Sequence, residues 1–203
     1  MRFTPAVAPI LVVWAAGCGS GSRPGAPSSA LAGADRLVIA QQVVTTALGG
    51  VGGSVGQRDT APLSGLTCDR TCSADSCTVS CPVDERLACP AGGSASDKGQ
   101  VTGTLDTELT GTAVLRATQT YAACQPKEGL AIDGAPSTTT TGNAVFVKGQ
   151  LADQQTLLVA GDVQYASDGA SGTCSVELRV TFGRSLHGSA RGSACGEPVD
   201  VAF

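Results

Sequence analysis

The chain has 203 residues, with 13 Lys and Arg against 17 Asp and Glu and a formal net charge of −4. Aromatic residues make up 3% and charged residues 15%, while there are 27 glycines and 9 cysteines. With no Lys/Arg cluster, that balance excludes nucleic acid as the main partner, and it leaves few rings to fill the core of one domain.

The N-terminus reads "MRFTPAVAPILVVWAAGCGSGS". One early positive charge, Arg2, precedes an apolar run from Ala6 to Ala16, broken by Pro9. A membrane-spanning helix needs roughly 20 apolar residues. This run is shorter and has the dimensions of a signal peptide's apolar region. It ends Ala15-Ala16-Gly17-Cys18. Those residues resemble the lipobox of bacterial lipoprotein signal peptides, with Ala15 where that family usually has Leu. The resemblance implies that residues 1–17 are removed and that Cys18 is lipidated, so the membrane is a partner through an N-terminal lipid. The alternative is an ordinary secretory peptide cut after an A-x-A-like site, with Cys18 incidental. Residues 18–34 then read as the lipidated cysteine and a flexible Gly/Ser/Pro tether. In enterobacterial lipoproteins an Asp directly after the cysteine signals inner-membrane retention. Gly19 stands there, which by that rule points to the outer rather than the inner membrane of the bacterial envelope.

Residues 35–203 read as a single domain. A helix is expected over about 35–49, "DRLVIAQQVVTTALG", with Asp35 as N-cap and Leu37, Ile39, Ala40, Val43, Val44, Ala47 and Leu48 forming a one-sided stripe. The run "GGVGGSVG" at 49–56 is expected to stop it.

Eight cysteines follow Cys18. An even number in an exported chain reads as disulfides. Cys68 and Cys81 share a midpoint with Cys72 and Cys77, between Ala74 and Asp75, as two concentric pairs on an antiparallel hairpin would. Cys174 and Cys195 flank a second turn near Gly183–Ser185. The expected pairs are therefore Cys68–Cys81, Cys72–Cys77, Cys174–Cys195 and, by remainder, Cys89–Cys124. A Cys₄ zinc site is the weaker alternative, because exported thiols oxidise and no histidine is near. No metal or cofactor is expected.

From about Leu66 the pattern has period two. In "CSVELRVTFG", Cys174, Val176, Leu178, Val180 and Phe182 share one face, opposite Glu177, Arg179 and Thr181. Turns are expected at "AGGSASDKG", "DGAPSTTTTGN", "LADQQ" and "SDGASG". The fold class is mainly β (α+β): a disulfide-stabilised antiparallel meander of about seven to nine strands packed on one N-terminal helix. Val101–Thr104 ("VTGT") and the terminal Cys174…Cys195–Gly196 hairpin resemble a loose group of uncharacterised Thr/Ser/Gly-rich exported lipoproteins. That resemblance covers roughly the last 120 residues and implies location and fold class rather than an activity.

Little points to catalysis. His187 is the single histidine and reads as a surface-strand residue. The carboxylate pairs Asp84–Glu85 and Asp106/Glu108 read as solvated charge, the second pair sharing a strand face. The expected function is a membrane-anchored, non-enzymatic structural or interaction module with a protein partner. The alternative is a carrier of lipid or a small apolar ligand. In that case inward small residues (Gly103, Gly111, Ala113, Ala117, Gly161) leave a cavity between a curved sheet and the helix.

Overall fold

The computed structural model describes residues 31–55 and 68–203, with backbone alone for 50–55. One helix, α1 (Gly33–Val55), precedes ten strands. These are β1 (Asp69–Cys72), β2 (Ser76–Ala88), β3 (Gly92–Asp106), β4 (Gly111–Lys127), β5 (Leu130–Val147), β6 (Gln150–Leu151), β7 (Gln155–Ser167), β8 (Ala170–Phe182), β9 (Gly188–Ala194) and β10 (Glu197–Ala202). Every pairing is antiparallel, and strand order follows chain order, with the two-residue β6 attached to β5 alone. The fold is thus the mainly β meander on one helix that the period-two pattern implies.

The helix is longer than expected at both ends. Ala32 O accepts from the backbone N–H of Asp35 at 2.9 Å and of Arg36 at 3.2 Å. Asp35 therefore sits inside the first turn rather than at the N-cap. Its side chain instead holds Lys127, with which it forms an ion pair, and accepts from Ser167 Oγ at 2.9 Å. At the other end the glycines do not stop the helix. A Cβ on Gly49 would lie 2.6 Å from Leu87 Cδ1, so this glycine lets α1 approach β2. Close packing there offsets its low helix propensity, about 1 kcal/mol below alanine.

Two expected turns are strand instead. "SASDKG" lies within β3, and all of "DGAPSTTTTGN" lies within β5, where the pairing with β7 shifts register between Asp133 and Thr138. Their Gly, Ser and Asp residues are poor strand formers, but ladders on both sides hold most of them extended, while Ala135–Ser137 bulge out of both ladders. Tight turns occur at Lys148–Gly149 and Cys195–Gly196, where both residues have positive φ (52° and 75°, 53° and 81°), as type I′ hairpins require.

The sheet curls around the helix. Leu87 and Ala88 of β2 and Val201–Phe203 at the β10 end line one groove. In a flat sheet seven strand spacings, roughly 34 Å, would separate them. Helix α1 touches strands from β2 to β10 and plugs the concave side with fully buried Ile39, Ala40, Val43 and Ala47. Leu37, Gln41 and Thr45 face solvent. The arrangement is an open barrel whose seam, between β2 and β10, is closed by the helix. A second, smaller cluster of Val79, Leu105, Ala113, Phe146 and Leu151 fills the end beyond the helix.

Four disulfides join Cys68 to Cys81, Cys72 to Cys77, Cys89 to Cys124 and Cys174 to Cys195. The first two lie on the β1–β2 hairpin, where Cys72 is in register with Cys77. Cys89–Cys124 ties the β2–β3 turn to β4, and Cys174–Cys195 ties β8 to the β9–β10 turn.

Ile39 meets the sheet with no exposed surface. Ile39→Ala should lower unfolding free energy by about 2–4 kcal/mol, read as a fall in urea midpoint, while truncation of the exposed Leu37 should change it far less.

Candidate functional site

The concave wall carries a polar belt. Cross-strand register places Glu85 (β2), Asp97 (β3), Gln119 (β4) and Thr138 (β5) side by side in one row. Tyr121 and Thr140 stand two residues away on the same face. Asp97, Gln119, Thr138 and Thr140 are all fully buried, and Tyr121 is 2% exposed. Burying such groups costs free energy unless each finds a partner.

Gln119 supplies most of the partners. Its Oε1 accepts from Tyr121 Oη at 2.9 Å and from the hydroxyl of Thr138. Its Nε2 donates to Thr140 Oγ1 at 3.2 Å and to the helix carbonyl of Val43 at 3.4 Å. On the helix, Thr46 Oγ1 donates to Gln42 O at 2.9 Å, and Gln42 Nε2 donates to Thr46 Oγ1 at 3.4 Å. Burial pushes the Tyr121 hydroxyl's pKa upward, which keeps it a neutral donor.

Asp97 is the exception. Neither carboxyl oxygen has a hydrogen-bond partner among the described residues. Burial, and then the charge of Glu85 across the ladder, push its pKa up to about 7. Glu85 itself is half-buried, at the part of β2 where no strand pairs on the outer side among the described residues. This corner can bind and release a proton near neutrality.

A second carboxylate is tuned the other way. Lys127, and Ser167 with it, hold the buried Asp35 below the usual carboxylate range against the opposing effect of burial.

The sequence-derived candidates scatter over the molecule. Cys18 lies outside the described residues. The eight domain cysteines all lie in disulfides rather than at a metal. Among the described residues no group of three or more His, Cys, Asp or Glu is placed to hold one. His187 is exposed in the β8–β9 turn. Asp84 and Glu85 separate: Asp84 faces outward with Lys98 Nζ at 3.5 Å, whereas Glu85 faces the interior beside Asp97. Asp106 and Glu108 do not share a strand face. Asp106 ends β3, and its Oδ1 accepts from the backbone N–H of Glu108 at 2.9 Å and of Thr110 at 2.8 Å, forming the turn. The small inward residues serve close packing; a Cβ on Gly103 would lie 2.6 Å from that of Ala113.

Asp97 and Gln119 were missed by sequence reasoning. Strand parity with Val101 and Leu105 places Asp97 inward, and parity with Leu115 and Ala117 does the same for Gln119.

Two surface concavities accompany the belt. One is the seam groove, about 360 Å³, largely apolar and floored by Val38, Gln42 and Leu87. The other is a shallow depression of about 690 Å³ on the convex face, between Arg116 and Arg179. Exposed Val114, Val145 and Leu158 lie around it. No described helix is long and apolar enough to cross a membrane.

Comparison of the chain with protein-family models, with curated proteins and with solved structures found no match.

Two substitutions test the interior. Gln119→Leu strands the hydroxyls of Tyr121 and Thr138 and should cost about 2–3 kcal/mol in urea unfolding, against almost nothing for Thr141→Val on the exposed face. Asp35→Asn should cost about 1–2 kcal/mol at pH 7, discounted because Lys127 is 45% exposed. The pKa of Asp35 is lower folded than unfolded, so its stabilisation is present above about pH 4 and lost as pH falls below it. The gap between wild type and Asp35→Asn should close on acidification.

Proposed function

We propose that the chain is a lipid-anchored protein of the bacterial envelope, held by Cys18 in the outer membrane and acting as a non-enzymatic structural or interaction module. One observation carries this reading. Eight of the nine cysteines are spent in four disulfides, and the ninth is Cys18, at the end of the apolar run in the Ala15-Ala16-Gly17-Cys18 context. Disulfides on this scale belong to oxidising compartments. A thiol left out of the scheme at a signal-peptide cleavage position suits acylation. The choice of module over lipid carrier is supported by the helix. The concave face that a carrier would keep for its ligand is filled by Ile39, Val43, Val44 and Ala47.

Expressed in a bacterium that processes lipoproteins, the wild-type chain should partition into the detergent phase. Its intact mass should equal Cys18–Phe203 plus acyl chains. Cys18→Ser should move the protein to the soluble exported fraction with its disulfides intact. Equal membrane association of Cys18→Ser, or a mature N-terminus elsewhere than Cys18, would refute the anchor. An apolar ligand retained by the soluble variant in native mass spectrometry would replace the module reading with the carrier.

A further inference from the structure

We propose that Asp97 is a proton-operated latch between helix α1 and the β2–β3 edge of the sheet. With its carboxyl protonated, the helix seats on the edge; with the carboxyl ionised, the seam between them opens.

Asp97 has no exposed surface, and both its oxygens lack a hydrogen-bond partner among the described residues. A charge in that position is uncompensated, and a buried carboxyl without a partner relieves the cost by holding its proton. The groups facing it offer no cation. From β2 comes Glu85, its register partner and a like charge. From β4 come Gln119, already engaged with Tyr121, Thr138, Thr140 and the helix, and Tyr121, whose hydroxyl stays neutral. Helix α1, which Gln119 reaches at the Val43 carbonyl, carries no charged residue from Leu37 to Val55. The charged residues of its first turn are engaged elsewhere, Asp35 with Lys127 and Arg36 with Glu197. Lys98, next in sequence, points outward to Asp84.

The edge can respond. β1 pairs with β2 over Cys77–Ser80 and the Cys68–Cys81 disulfide closes that hairpin, so the stretch Pro82–Ala88, which holds Glu85 and Leu87, has a ladder on its β3 side alone among the described residues. The α1 contact at Gly49 is made with this same stretch, through Leu87. Ionised Asp97 gains hydration by letting the helix lift from this stretch, which has a ladder on one side only among the described residues. The proton leaves to solvent and no other group need change.

The sign follows from linkage. Opening returns Asp97 to an ordinary carboxylate pKa, so between about pH 4 and pH 7 opening releases a proton and is favoured as pH rises. Above about pH 7 the closed state is already ionised and the dependence levels off.

The test is hydrogen exchange by mass spectrometry on the full-length exported protein from pH 5 to 9, corrected for intrinsic exchange chemistry. The opening constant of α1 and of Pro82–Ala88 should rise roughly tenfold per pH unit up to about pH 7 and then plateau, while β7 and β8 stay unchanged. Asp97→Asn should abolish the slope. Glu85→Gln should move the plateau to lower pH, which keeps the latch testable should Asp97→Asn fail to fold. A wild-type profile flat with pH, or an equal slope in Asp97→Asn, overturns the latch. Loss of the slope on adding millimolar calcium also overturns it and assigns the Glu85–Asp97 pair to a cation.

Discussion

The packing of one helix into the hollow of a curled sheet is the contact on which the rest of this structure depends. A ten-stranded sheet must bury one face, and this chain has few aromatic rings with which to do so. Closing the strands on themselves would leave an interior too wide for Ala, Val, Leu and Thr side chains to fill. Helix α1 solves this by entering the interior, and its small residues, Ala40, Ala47 and Gly49, let it lie close to the wall. The consequences spread outward. The sheet cannot close, because the helix occupies the seam. β2 beyond Ser80 and β10 remain edges among the described residues, each carrying a proline, Pro82 and Pro198, of the kind that discourages further strand pairing.

Two of the four disulfides sit where that contact is weakest. The main core gathers around the helix, and the β1–β2 hairpin projects beyond it with every β1 residue exposed. Two of the four cross-links staple that hairpin. The other two fix turns to buried strands through Cys89, Cys124 and Cys174, which are themselves core residues. Cross-linking therefore reaches both the projecting hairpin and the buried core around the helix.

How much was legible follows from which residues obey a local rule. The alternation Cys174, Val176, Leu178, Val180, Phe182 is the burial pattern of β8, because apolar residues at every second position have one face to occupy. The shared midpoint of the hairpin cysteines is also the register of β1 on β2. Asp97 broke the rule, since an acidic residue in a strand reads as outward, and only the parity of Val101 and Leu105 contradicts that. The run Thr138–Thr141 is opaque: two of its hydroxyls are fully buried and two exposed, and no local property tells which. The register also slips within β4, where Ala123 takes φ 44° and the buried set changes from odd to even positions between Tyr121 and Cys124. A long-range fit between strands decides that shift. The ends of α1 were misplaced for a similar reason: Gly49 breaks a helix locally but is required by the tertiary approach of Leu87.

The ion pairs at the start of α1 acquire a mechanical meaning when the chain is considered under load. Asp35 is held to Lys127 and Ser167, and Arg36 reaches Glu197, so adjacent residues are moored to β4, β7 and β10. Tension arriving from the chain before Leu31 meets these moorings before it reaches the apolar face of the helix. Were they to part, the pull would act along the very element that fills the barrel, and the core would be drawn out through its own seam like a cork. The first helical turn thus couples a pull on the preceding chain to three strands at once.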